Sequence, residues 1–350
     1  MTGIKKINVG LCSFGMSGKV FHAPFLHVLE GFHLYAVWER SKKQAGDFYS
    51  DIISYDTYDE LLADDTIELI VVNTPNNTHY DFARRALHAG KHVVVEKPFT
   101  VTVQEGTELV TLAKKQKRIL SVYHNRRYDS DYKVVKKVVE EGLLGELVEV
   151  EFHFDRFRQE LSSKLHKEMP TQGTGALYDL GSHLIDQALQ LFGKPQALFA
   201  DIRIVRPSSQ VDDYFELLLY YTSFRVRLKC SYLVREPLPA YVLHGKNGSF
   251  IKSKSDVQET ALQAGIVPNF SDWGAEPEVE RGLLHTEKDG QLIREYLPAP
   301  NGNYGDYYRD LYNAIRLHKE VPVKPEDGLD VIYLITKAFE SSEQKRVVDL

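Results

Sequence analysis

A glycine-containing turn near the N-terminus constrains the fold of this chain more than any other feature. The apolar run Ile7–Leu11 is predicted to be a β-strand, and a helix-like pattern begins at Lys19. Between them, Gly15 and Gly18 hold the second and third glycine positions of the G-x-G-x-x-G fingerprint, in which backbone N–H groups and a helix N-terminus meet a pyrophosphate. Ser13 stands in the first position, which a small side chain can occupy. The turn therefore predicts a dinucleotide site, and a strand–helix turn without a ligand is the alternative.

The N-terminal third of the chain alternates between short apolar strands and helical patterns. The strands are nearly continuous in apolar residues, as expected when both faces of a parallel sheet are buried. This alternation predicts a doubly wound parallel sheet of the Rossmann type. The predicted strands are Ile7–Leu11, Leu34–Trp38, Ile67–Val72, His92–Val95 and Ile119–Val122, and the helices among them include Tyr80–Ala89 and Val103–Lys115.

Beyond Tyr123 the pattern changes to longer strands of alternating polarity with few helices, which is typical of a largely antiparallel sheet. The predicted fold class is α/β, with an N-terminal Rossmann domain over residues 1–122. A substrate-binding and dimerisation domain of α+β type, with a large, mainly antiparallel open sheet, follows over 123–350, and the C-terminal helices can pack back on the first domain. The predicted elements are helices Ser130–Glu141, Ser182–Phe192, Tyr304–Leu317 and Gly328–Gln344 and strands Leu147–Phe154, Ala197–Val205, Tyr214–Tyr221, Val226–Tyr232 and Tyr241–Leu243.

Composition excludes several classes of protein and of partner. Of 350 residues, 43% are hydrophobic and 26% are charged, which is the balance of a globular protein long enough for two domains. The formal net charge of -6 disfavours nucleic acid as a partner, because phosphate binding needs a basic surface. No apolar run approaches the roughly 20 residues that span a bilayer. The two cysteines, Cys12 and Cys230, suit neither a disulfide framework nor a zinc site, so we expect a cytoplasmic protein.

A carboxylate after the second predicted strand bears on the choice of cofactor. Glu39 lies 24 residues beyond Gly15. This is close to the spacing of roughly 20 residues at which an acidic side chain accepts a hydrogen bond from the ribose 2′-OH and repels a 2′-phosphate. This spacing favours NAD over NADP. Arg40 and Ser41 follow directly, and the pair could hold a 2′-phosphate if Glu39 turned away. A solvated strand end is the remaining interpretation of Glu39.

Two further segments carry groups suited to moving a proton and a hydride. Lys97 follows the fourth predicted strand, at the carboxyl edge where doubly wound sheets bind ligands, and its amine can orient a substrate hydroxyl. Asp179 and His183 are four residues apart, so they share one face of a helix. Histidine is a natural general base near neutral pH, and a nearby acid can orient it. Taken singly, these residues have structural alternatives as a solvated lysine, a helix-capping aspartate and a core histidine.

The order of motifs along the chain resembles the glucose-fructose oxidoreductase, inositol dehydrogenase and MocA (Gfo/Idh/MocA) family, and the resemblance covers essentially the whole chain. The branch with NADP-dependent scyllo-inositol dehydrogenases is the most similar one, although that branch tends to lack an acid at the position of Glu39. The family motifs are Thr74–His79, Glu96-Lys97-Pro98, His124–Arg127 and Tyr178–His183. The segments typical of the branch are Ser121–Arg127, Phe154–Arg158, His244–Lys252 and Asp272–Gly274.

The resemblance implies a set of site residues, in which the motifs above are included. Lys97, Asp179 and His183 would be the catalytic group, with His183 as the acid/base, and no metal is expected. The phosphate loop and the end of the second predicted strand supply the expected cofactor contacts Ser13, Phe14, Gly15, Gly18, Glu39 and Arg40. The resemblance adds Thr74, Pro75, Asn76, His79, Glu96, Lys97, Asn125 and Arg126. The substrate contacts are Lys97, Asp155, Arg156, Asp179, His183 and Tyr304.

Three aromatic or histidine residues near these motifs keep two interpretations each. His79 belongs to the loop after the third predicted strand and either lines the cofactor or only packs beneath the loop. Tyr304 either reaches the substrate or is a packed aromatic. His22 lies just beyond the phosphate loop and either touches the cofactor or packs in the core.

We therefore expect an NAD(P)-dependent oxidoreductase that transfers a hydride between nicotinamide and a hydroxyl-bearing carbon of a sugar or cyclitol. In this mechanism His183 takes the hydroxyl proton while Lys97 is hydrogen-bonded to the same oxygen. The alternatives are a tightly bound NAD used transiently in glycoside oxidation and elimination, and a non-catalytic dinucleotide-binding sensor. The expected partner is a small polyol or sugar, neither nucleic acid nor membrane, and the large sheet face predicts a homodimer or homotetramer.

Overall fold

The computed structural model describes residues 5–162, 167–268 and 271–350. The chain forms two compact units, which are described separately below. Unit 1 comprises Met1–Asn125, Gln258–Trp273 and Asn303–Leu329, and unit 2 comprises Arg126–Val257, Gly274–Gly302 and Asp330–Leu350. The sequence predicts one domain boundary, after residue 122. In the structure, unit 1 also includes two later segments of the chain.

Unit 1 contains a six-stranded parallel sheet with the order β3-β2-β1-β4-β5-β6. The strands are β1 Ile7–Leu11, β2 Phe32–Trp38, β3 Ile53–Tyr55, β4 Leu69–Val72, β5 His92–Glu96 and β6 Leu120–Tyr123. All of the neighbouring pairs are parallel, which confirms the predicted doubly wound sheet. The sequence does not predict β3, because three partly exposed residues at a sheet edge carry almost no periodic signal.

Both units also contain α-helices. They are α1 Ala23–Val28, α2 Ala45–Phe48, α3 Tyr58–Ala63, α4 His79–His88, α5 Val103–Gln116, α6 Ser130–Glu140, α7 Ser182–Phe192, α8 Gln258–Gln263, α9 Tyr304–Leu317 and α10 Pro325–Gln344. Capping boxes start α3, at Thr57 and Glu60, and α5, at Thr102 and Glu105, since each pair satisfies backbone N–H groups that the first turn leaves open. Among the helices of the described residues, none combines the length and apolarity needed to cross a membrane.

Unit 2 contains a nine-stranded sheet with the order β14-β13-β12-β11-β7-β10-β9-β8-β15. The strands are β7 Leu147–His153, β8 Ala197–Arg203, β9 Tyr214–Tyr220, β10 Arg225–Ser231, β11 Tyr241–Gly245, β12 Gly248–Lys252, β13 Gly282–Lys288, β14 Gln291–Leu297 and β15 Val348–Asp349. The β7–β10 pair is parallel and the other pairs are antiparallel, which confirms the predicted, mainly antiparallel sheet.

The hairpin of β13 and β14 is missing from the sequence prediction, although a signal for it is present. Lys288 pairs with Gln291, so that Asp289 and Gly290 form a two-residue loop, and both have positive φ, of 53° and 75°. Asp-Gly between two strands is a strong hairpin signal. The alternation is weak in β14 because most of its side chains are exposed at the edge of the sheet.

A buried cation holds the loop between β8 and β9 in unit 2. The side chain of Arg206 is 1% exposed and donates hydrogen bonds to Asp213 (Nε to Oδ2, 2.7 Å) and Glu168 (Nη2 to Oε2, 2.9 Å). Its guanidinium lies 4.9 Å from the ring centre of Tyr232. Because both carboxylates are also almost fully buried, neither could be solvated if the guanidinium were removed.

We predict that Arg206→Met destabilises the protein by about 3–5 kcal/mol, because the substitution keeps most of the side-chain volume but leaves two buried carboxylates unpaired. The free energy of unfolding from urea titration, followed by circular dichroism, measures this. Arg203→Met is the matched control, since Arg203 and its partner Asp201 are both about half exposed, and it should cost less than about 1 kcal/mol. Equal effects of the two substitutions would contradict this prediction.

Candidate active site

The turn after β1 is held in place by side-chain hydrogen bonds that involve the serine in the first glycine position. Ser13 N donates to Asn73 Oδ1 (3.0 Å), Ser13 Oγ donates to the carbonyl of Asn73 (3.0 Å), and Asn73 Nδ2 donates back to the carbonyl of Ser13 (2.8 Å). The serine hydroxyl thus fastens the phosphate loop to the carboxyl end of β4. This contact explains why the loop accepts Ser13 where the fingerprint usually has glycine.

The two glycines of the loop have different roles in the structure. A Cβ on Gly18 would lie 2.5 Å from the carbonyl oxygen of Ser13, so the close approach of the backbone requires glycine there. A Cβ on Gly15 would meet only Ser13 Oγ, at 3.8 Å, so the chain itself would accept alanine. Gly15 therefore fits the role of leaving space for an approaching pyrophosphate, as the dinucleotide fingerprint requires. Phe14, next to it, is buried, with its ring 5.7 Å from that of Phe48.

Glu39 turns into its own unit at the end of β2. Its carboxylate accepts hydrogen bonds from Gln44 N (2.8 Å to Oε1), from Ala45 N (3.2 Å to Oε1) and from Ser54 Oγ (3.0 Å to Oε2). The residue is only 5% exposed, whereas Arg40, which follows it, is exposed. The carboxylate therefore accepts hydrogen bonds from the backbone N–H groups at the start of α2.

The loop after β4 carries the predicted residues Thr74, Pro75, Asn76 and His79. Asn76 opens a single 3₁₀ turn, Asn76–Thr78, which leads into α4. The fully buried ring of His79 lies between two carbonyl oxygens, with Nδ1 2.8 Å from that of Pro98 and Nε2 2.9 Å from that of Thr74. Burial lowers the pKa of His79, despite these contacts. These contacts favour the interpretation in which His79 packs beneath the loop and joins it to the loop after β5.

Glu96 and Lys97 mark the carboxyl end of β5. The carboxylate of Glu96 accepts hydrogen bonds from Ser17 Oγ of the phosphate loop, from His22 Nε2 (2.9 Å) and from the backbone N–H of Lys97 (3.1 Å). Burial acts to raise the pKa of Glu96, but the contacts with His22 and Ser17 and the charge of Lys97 outweigh it, and the pKa falls to about 2. Lys97 is partly exposed, and its peptide bond to Pro98 is cis.

In unit 2 a widened helical turn introduces Asp179 and His183. The segment Leu177–Gly181 is π-helical and continues into α7, so the chain is helical across the motif as predicted but with a wider first turn. Such single π turns occur frequently at functional sites. Asp179 accepts a hydrogen bond from Lys167 (Nζ to Oδ2, 3.0 Å), and His183 is 4% exposed.

Four basic side chains of unit 2 gather around the ring of Phe154. The ring of His183 is stacked on it with a centroid distance of 6.4 Å. The charged groups of Arg126, Arg156 and Lys254 lie 5.1, 5.0 and 4.8 Å from its centre, within the range of cation–π attraction. We call this group of five residues the Phe154 cluster. Two predicted substrate or cofactor residues, Arg156 and Arg126, thus stand beside the predicted acid/base.

Two buried carboxylates lie near the Phe154 cluster. Asp129 contacts Arg126 (3.1 Å) and Lys254 (3.5 Å) and is fully buried. Burial and the charge of Asp256 raise the pKa of Asp129 to about 7, although the two basic side chains act in the opposite direction. The predicted substrate residue Asp155 has a side chain that is only 1% exposed and accepts a hydrogen bond from the backbone N–H of Ser231.

The turn Asn125–Tyr128 and Tyr304 complete the predicted set. Asn125 is buried at the end of unit 1. Tyr304 begins α9 and is fully buried in unit 1, with its ring 6.3 Å from that of Phe21 and 6.1 Å from that of Phe25. This packing corresponds to the structural interpretation of Tyr304. Within the described residues, no group of three or more histidine, cysteine, aspartate or glutamate side chains is arranged to hold a metal ion.

Several residues at these sites are absent from the sequence prediction. Asn73 and Ser17 could have been found, because one directly precedes a predicted loop and the other lies inside the phosphate-loop motif. Lys167 and Lys254 contact Asp179 and Phe154 from segments without any motif. Such contacts depend on the tertiary fold, so no local sequence pattern predicts them.

The two glycines allow a test that separates the fold of the loop from ligand binding. We predict that Gly15→Ala leaves the melting temperature nearly unchanged but weakens binding of NAD(H) and NADP(H) about tenfold or more, because the methyl group would occupy the approach of the pyrophosphate. Gly18→Ala should lower both the melting temperature and the affinity. Thermal unfolding and fluorescence titration measure the two quantities.

Gly46→Ala is the stability control, since its added Cβ would meet nothing within 4 Å. Unchanged nucleotide affinity in Gly15→Ala would show that the loop does not receive a pyrophosphate at this position.

Comparisons with known proteins cover nearly the whole chain. The model of the NAD-binding Rossmann domain of the Gfo/Idh/MocA oxidoreductase family matches residues 7–124, and the model of its C-terminal alpha/beta domain matches residues 136–350. The chain is 38% identical to the scyllo-inositol 2-dehydrogenase (NADP(+)) IolW of Bacillus subtilis over 99% of this chain and 97% of that protein. It is also 38% identical to the uncharacterized oxidoreductase YdgJ of Escherichia coli over 98% of this chain and 99% of that protein.

Solved structures agree with this assignment. An oxidoreductase candidate from Bacteroides fragilis superposes with a TM-score of 0.91 at 45% identity, covering 99% of this chain and 100% of that one. The YvaA protein of Bacillus subtilis superposes with a TM-score of 0.96 at 38% identity, covering 99% of both chains. The chain therefore belongs to the Gfo/Idh/MocA family of oxidoreductases, and its N-terminal part is the NAD(P)-binding Rossmann domain of that family.

Proposed function

We propose that this protein is an NADP-preferring dehydrogenase that acts on a hydroxyl-bearing carbon of a cyclitol or sugar. The observation that carries the proposal is the carboxylate of Glu96. It directly precedes Lys97 and accepts a hydrogen bond from Ser17, so the phosphate loop and the predicted catalytic lysine belong to one hydrogen-bonded group. The name of IolW, a scyllo-inositol dehydrogenase that matches over nearly its whole length, supports the substrate class.

The protein's own residues have distinct roles in the proposed reaction. His183 takes the proton of the substrate hydroxyl, and Asp179 orients the imidazole and balances the charge that it gains. Lys97 donates a hydrogen bond to the same oxygen and stabilises the negative charge that develops on it. When bound, the nicotinamide supplies the acceptor for the hydride. Gly15 leaves space for a pyrophosphate to reach the backbone N–H groups of the loop, and Gly18 allows the close backbone contact with Ser13 that shapes the loop.

The direction of the Glu39 side chain supports NADP as the preferred cofactor. Its carboxylate already accepts hydrogen bonds from Gln44, Ala45 and Ser54, which removes the basis for the NAD preference inferred from the spacing of this residue. Arg40 is exposed directly after it and can meet a 2′-phosphate, the arrangement expected when the acid turns away. Lys19, which donates to the side chain of Gln44 (2.8 Å), adds a second positive charge beside this segment. The name of IolW, which specifies NADP(+), agrees with this preference.

Side chains on the open face of the nine-stranded sheet support the predicted homo-oligomer. A row of directly paired residues crosses eight strands on this face, and most of its side chains are hydrophobic. Burying such a row against a second copy would remove exposed apolar surface from water. The row consists of Phe199, Leu218, Arg227, Glu151, Val242, Ile251, Leu283 and Tyr296. The homodimer or homotetramer remains a prediction.

We predict that His183→Ala and Lys97→Met each lower kcat by about 10²–10⁴, because each removes a group that acts on the reacting oxygen. The measurement is absorbance of reduced nicotinamide with a panel of inositols, hexoses and sugar acids. His88→Ala, which changes an exposed histidine at the end of α4, is the matched control and should leave kcat unchanged. The assignment of His183 is wrong if His183→Ala retains full turnover.

The same panel separates the proposed function from its alternatives. A wild-type protein that binds nucleotide but turns over none of these substrates would favour the non-catalytic sensor. NAD that survives purification, with no net turnover of added NAD, would favour the oxidation–elimination enzyme.

We further predict that Arg40→Ala weakens NADP(H) binding about tenfold and leaves NAD(H) binding nearly unchanged, since only the 2′-phosphate would contact this guanidinium. Isothermal titration of both nucleotides measures the ratio of the two dissociation constants. Arg84→Ala is the control, because Arg84 is a half-exposed arginine on α4 whose partner is Asp81. An equal loss of affinity for NAD(H) and NADP(H) would contradict a contact with the 2′-phosphate.

A further inference from the structure

A buried hydrogen-bonded chain in unit 1 leads from α9 to the carboxyl end of β5. The Tyr308 hydroxyl lies 2.5 Å from His22 Nδ1, and His22 Nε2 lies 2.9 Å from Glu96 Oε1. Tyr308 and His22 are both 0% exposed, and the Glu96 side chain is 13% exposed. We call these three residues the Tyr–His–Glu chain. Sequence motifs identify only Glu96 among them.

The ionised carboxylate of Glu96 determines which group donates the hydrogen bond at that end of the Tyr–His–Glu chain. The contacts that lower the pKa of Glu96 to about 2, against the effect of burial, keep this group an ionised carboxylate, which can only accept a hydrogen bond. His22 Nε2 must therefore carry the proton that it shares with Glu96. When the imidazole is neutral, its Nδ1 accepts and the Tyr308 hydroxyl donates to it. When the imidazole is protonated, Nδ1 donates to the hydroxyl oxygen, so the contact is kept in both states. Burial raises the pKa of Tyr308 well above its ordinary value, so the phenol keeps its proton.

The packing around His22 fixes the ring in this orientation. The ring of Tyr123 lies 4.5 Å from that of His22, and the Tyr123 hydroxyl donates to the carbonyl of Phe21 (2.9 Å). His22 ends a five-residue π-helical turn, Gly18–His22, which starts at the last glycine of the phosphate loop. A wide turn of this kind, which is rare in proteins and common at functional sites, thus connects the loop to the Tyr–His–Glu chain.

One carboxylate receives all of these contacts. Oε1 of Glu96 accepts from both His22 and Ser17 of the phosphate loop, while Oε2 accepts from the backbone N–H of Lys97. Any rotation of the carboxylate would therefore disturb the phosphate loop and the lysine together.

We propose that His22 is a positioning residue that fixes the orientation of the Glu96 carboxylate and is itself oriented by Tyr308. Through this carboxylate, His22 holds Lys97 in a fixed position relative to the phosphate loop. This inference rests on the proposed function, since Lys97 matters here as a group that acts on substrate. His22 has no role on the substrate itself. Its contribution is indirect, in the way that a second partner orients a catalytic group.

The test compares Tyr308→Phe with Tyr307→Phe. Both tyrosines are fully buried on α9, but the Tyr307 hydroxyl donates to Ser121 Oγ (2.8 Å), whereas the Tyr308 hydroxyl lies 2.5 Å from His22 Nδ1. We expect Tyr308→Phe to lower kcat about tenfold, as a lost hydrogen bond in a charge-assisted group would, with a smaller change in the dissociation constant for NADP(H). Tyr307→Phe should keep the kcat of the wild type. Equal kcat values in the two variants would overturn the proposal.

Substitutions of His22 provide a second comparison with a conservative rescue. His22→Leu removes the donor to Glu96, and we expect kcat to fall more than in Tyr308→Phe. His22→Gln places an amide donor near the position of Nε2, and it should recover most of the lost kcat. Melting temperatures identify variants that fail to fold. If folded His22→Gln is no better than folded His22→Leu, the donor to Glu96 is not what matters, and the proposal fails.

A readout that needs no substrate separates this inference from the proposed function. The rate at which trinitrobenzenesulfonate modifies Lys97, followed by peptide mass spectrometry in the absence of nucleotide, reports the surroundings of the amine. We expect Tyr308→Phe to change this rate about threefold and Tyr307→Phe to leave it unchanged. If the wild type turns over no substrate, the proposed function fails while this rate still tests the inference; identical rates in the two variants overturn the inference alone.

Discussion

The hydrogen bonding of the largely buried carboxylate of Glu96 is the interaction on which the candidate site of the Rossmann unit depends. A carboxylate out of water is costly unless its oxygens accept hydrogen bonds, and here the donors are Ser17, His22 and the backbone of Lys97. The low pKa that results keeps the group charged at every physiological pH. The same need for partners brings two segments that are distant in sequence, the phosphate loop with its π-helical turn and the end of β5, into one arrangement.

The parallel sheet turns this local requirement into a site. Because all six strands run in one direction, the loops after β1, β4 and β5 meet at the same edge. Hydrogen bonds then join the loop after β1 to the other two: Ser13 bonds to Asn73 after β4, and Ser17 bonds to Glu96 at the end of β5. Ser13 shows that the first glycine of the fingerprint can be replaced when the new side chain finds partners within the fold. The third position has no such freedom, because the carbonyl of Ser13 already occupies the space beside Gly18.

Periodicity in the sequence was sufficient to predict the type of both sheets and the helices near the motifs, because burial on one or two faces leaves a repeating pattern. It did not predict the edge strands β3 and β14, whose side chains are mostly exposed or only partly buried. Motifs were sufficient to single out Lys97 and His183. What the sequence could not show is where a side chain turns at the end of a strand. Glu39 has the expected spacing, yet it bonds to its own chain. His22 meets Tyr308 across almost the whole length of the chain, and neither residue carries a pattern that links it to the other.

In unit 2 the structural problem is different, because three positively charged side chains lie close together around the ring of Phe154. The face of the Phe154 ring attracts Arg126, Arg156 and Lys254 without neutralising them, because its charge distribution is a quadrupole and carries no net charge. Asp129 compensates two of these cations, but burial and Asp256 raise its pKa to about 7. The charge of Asp129 therefore changes near neutral pH, and with it the net charge around the Phe154 ring, on which the ring of His183 is stacked.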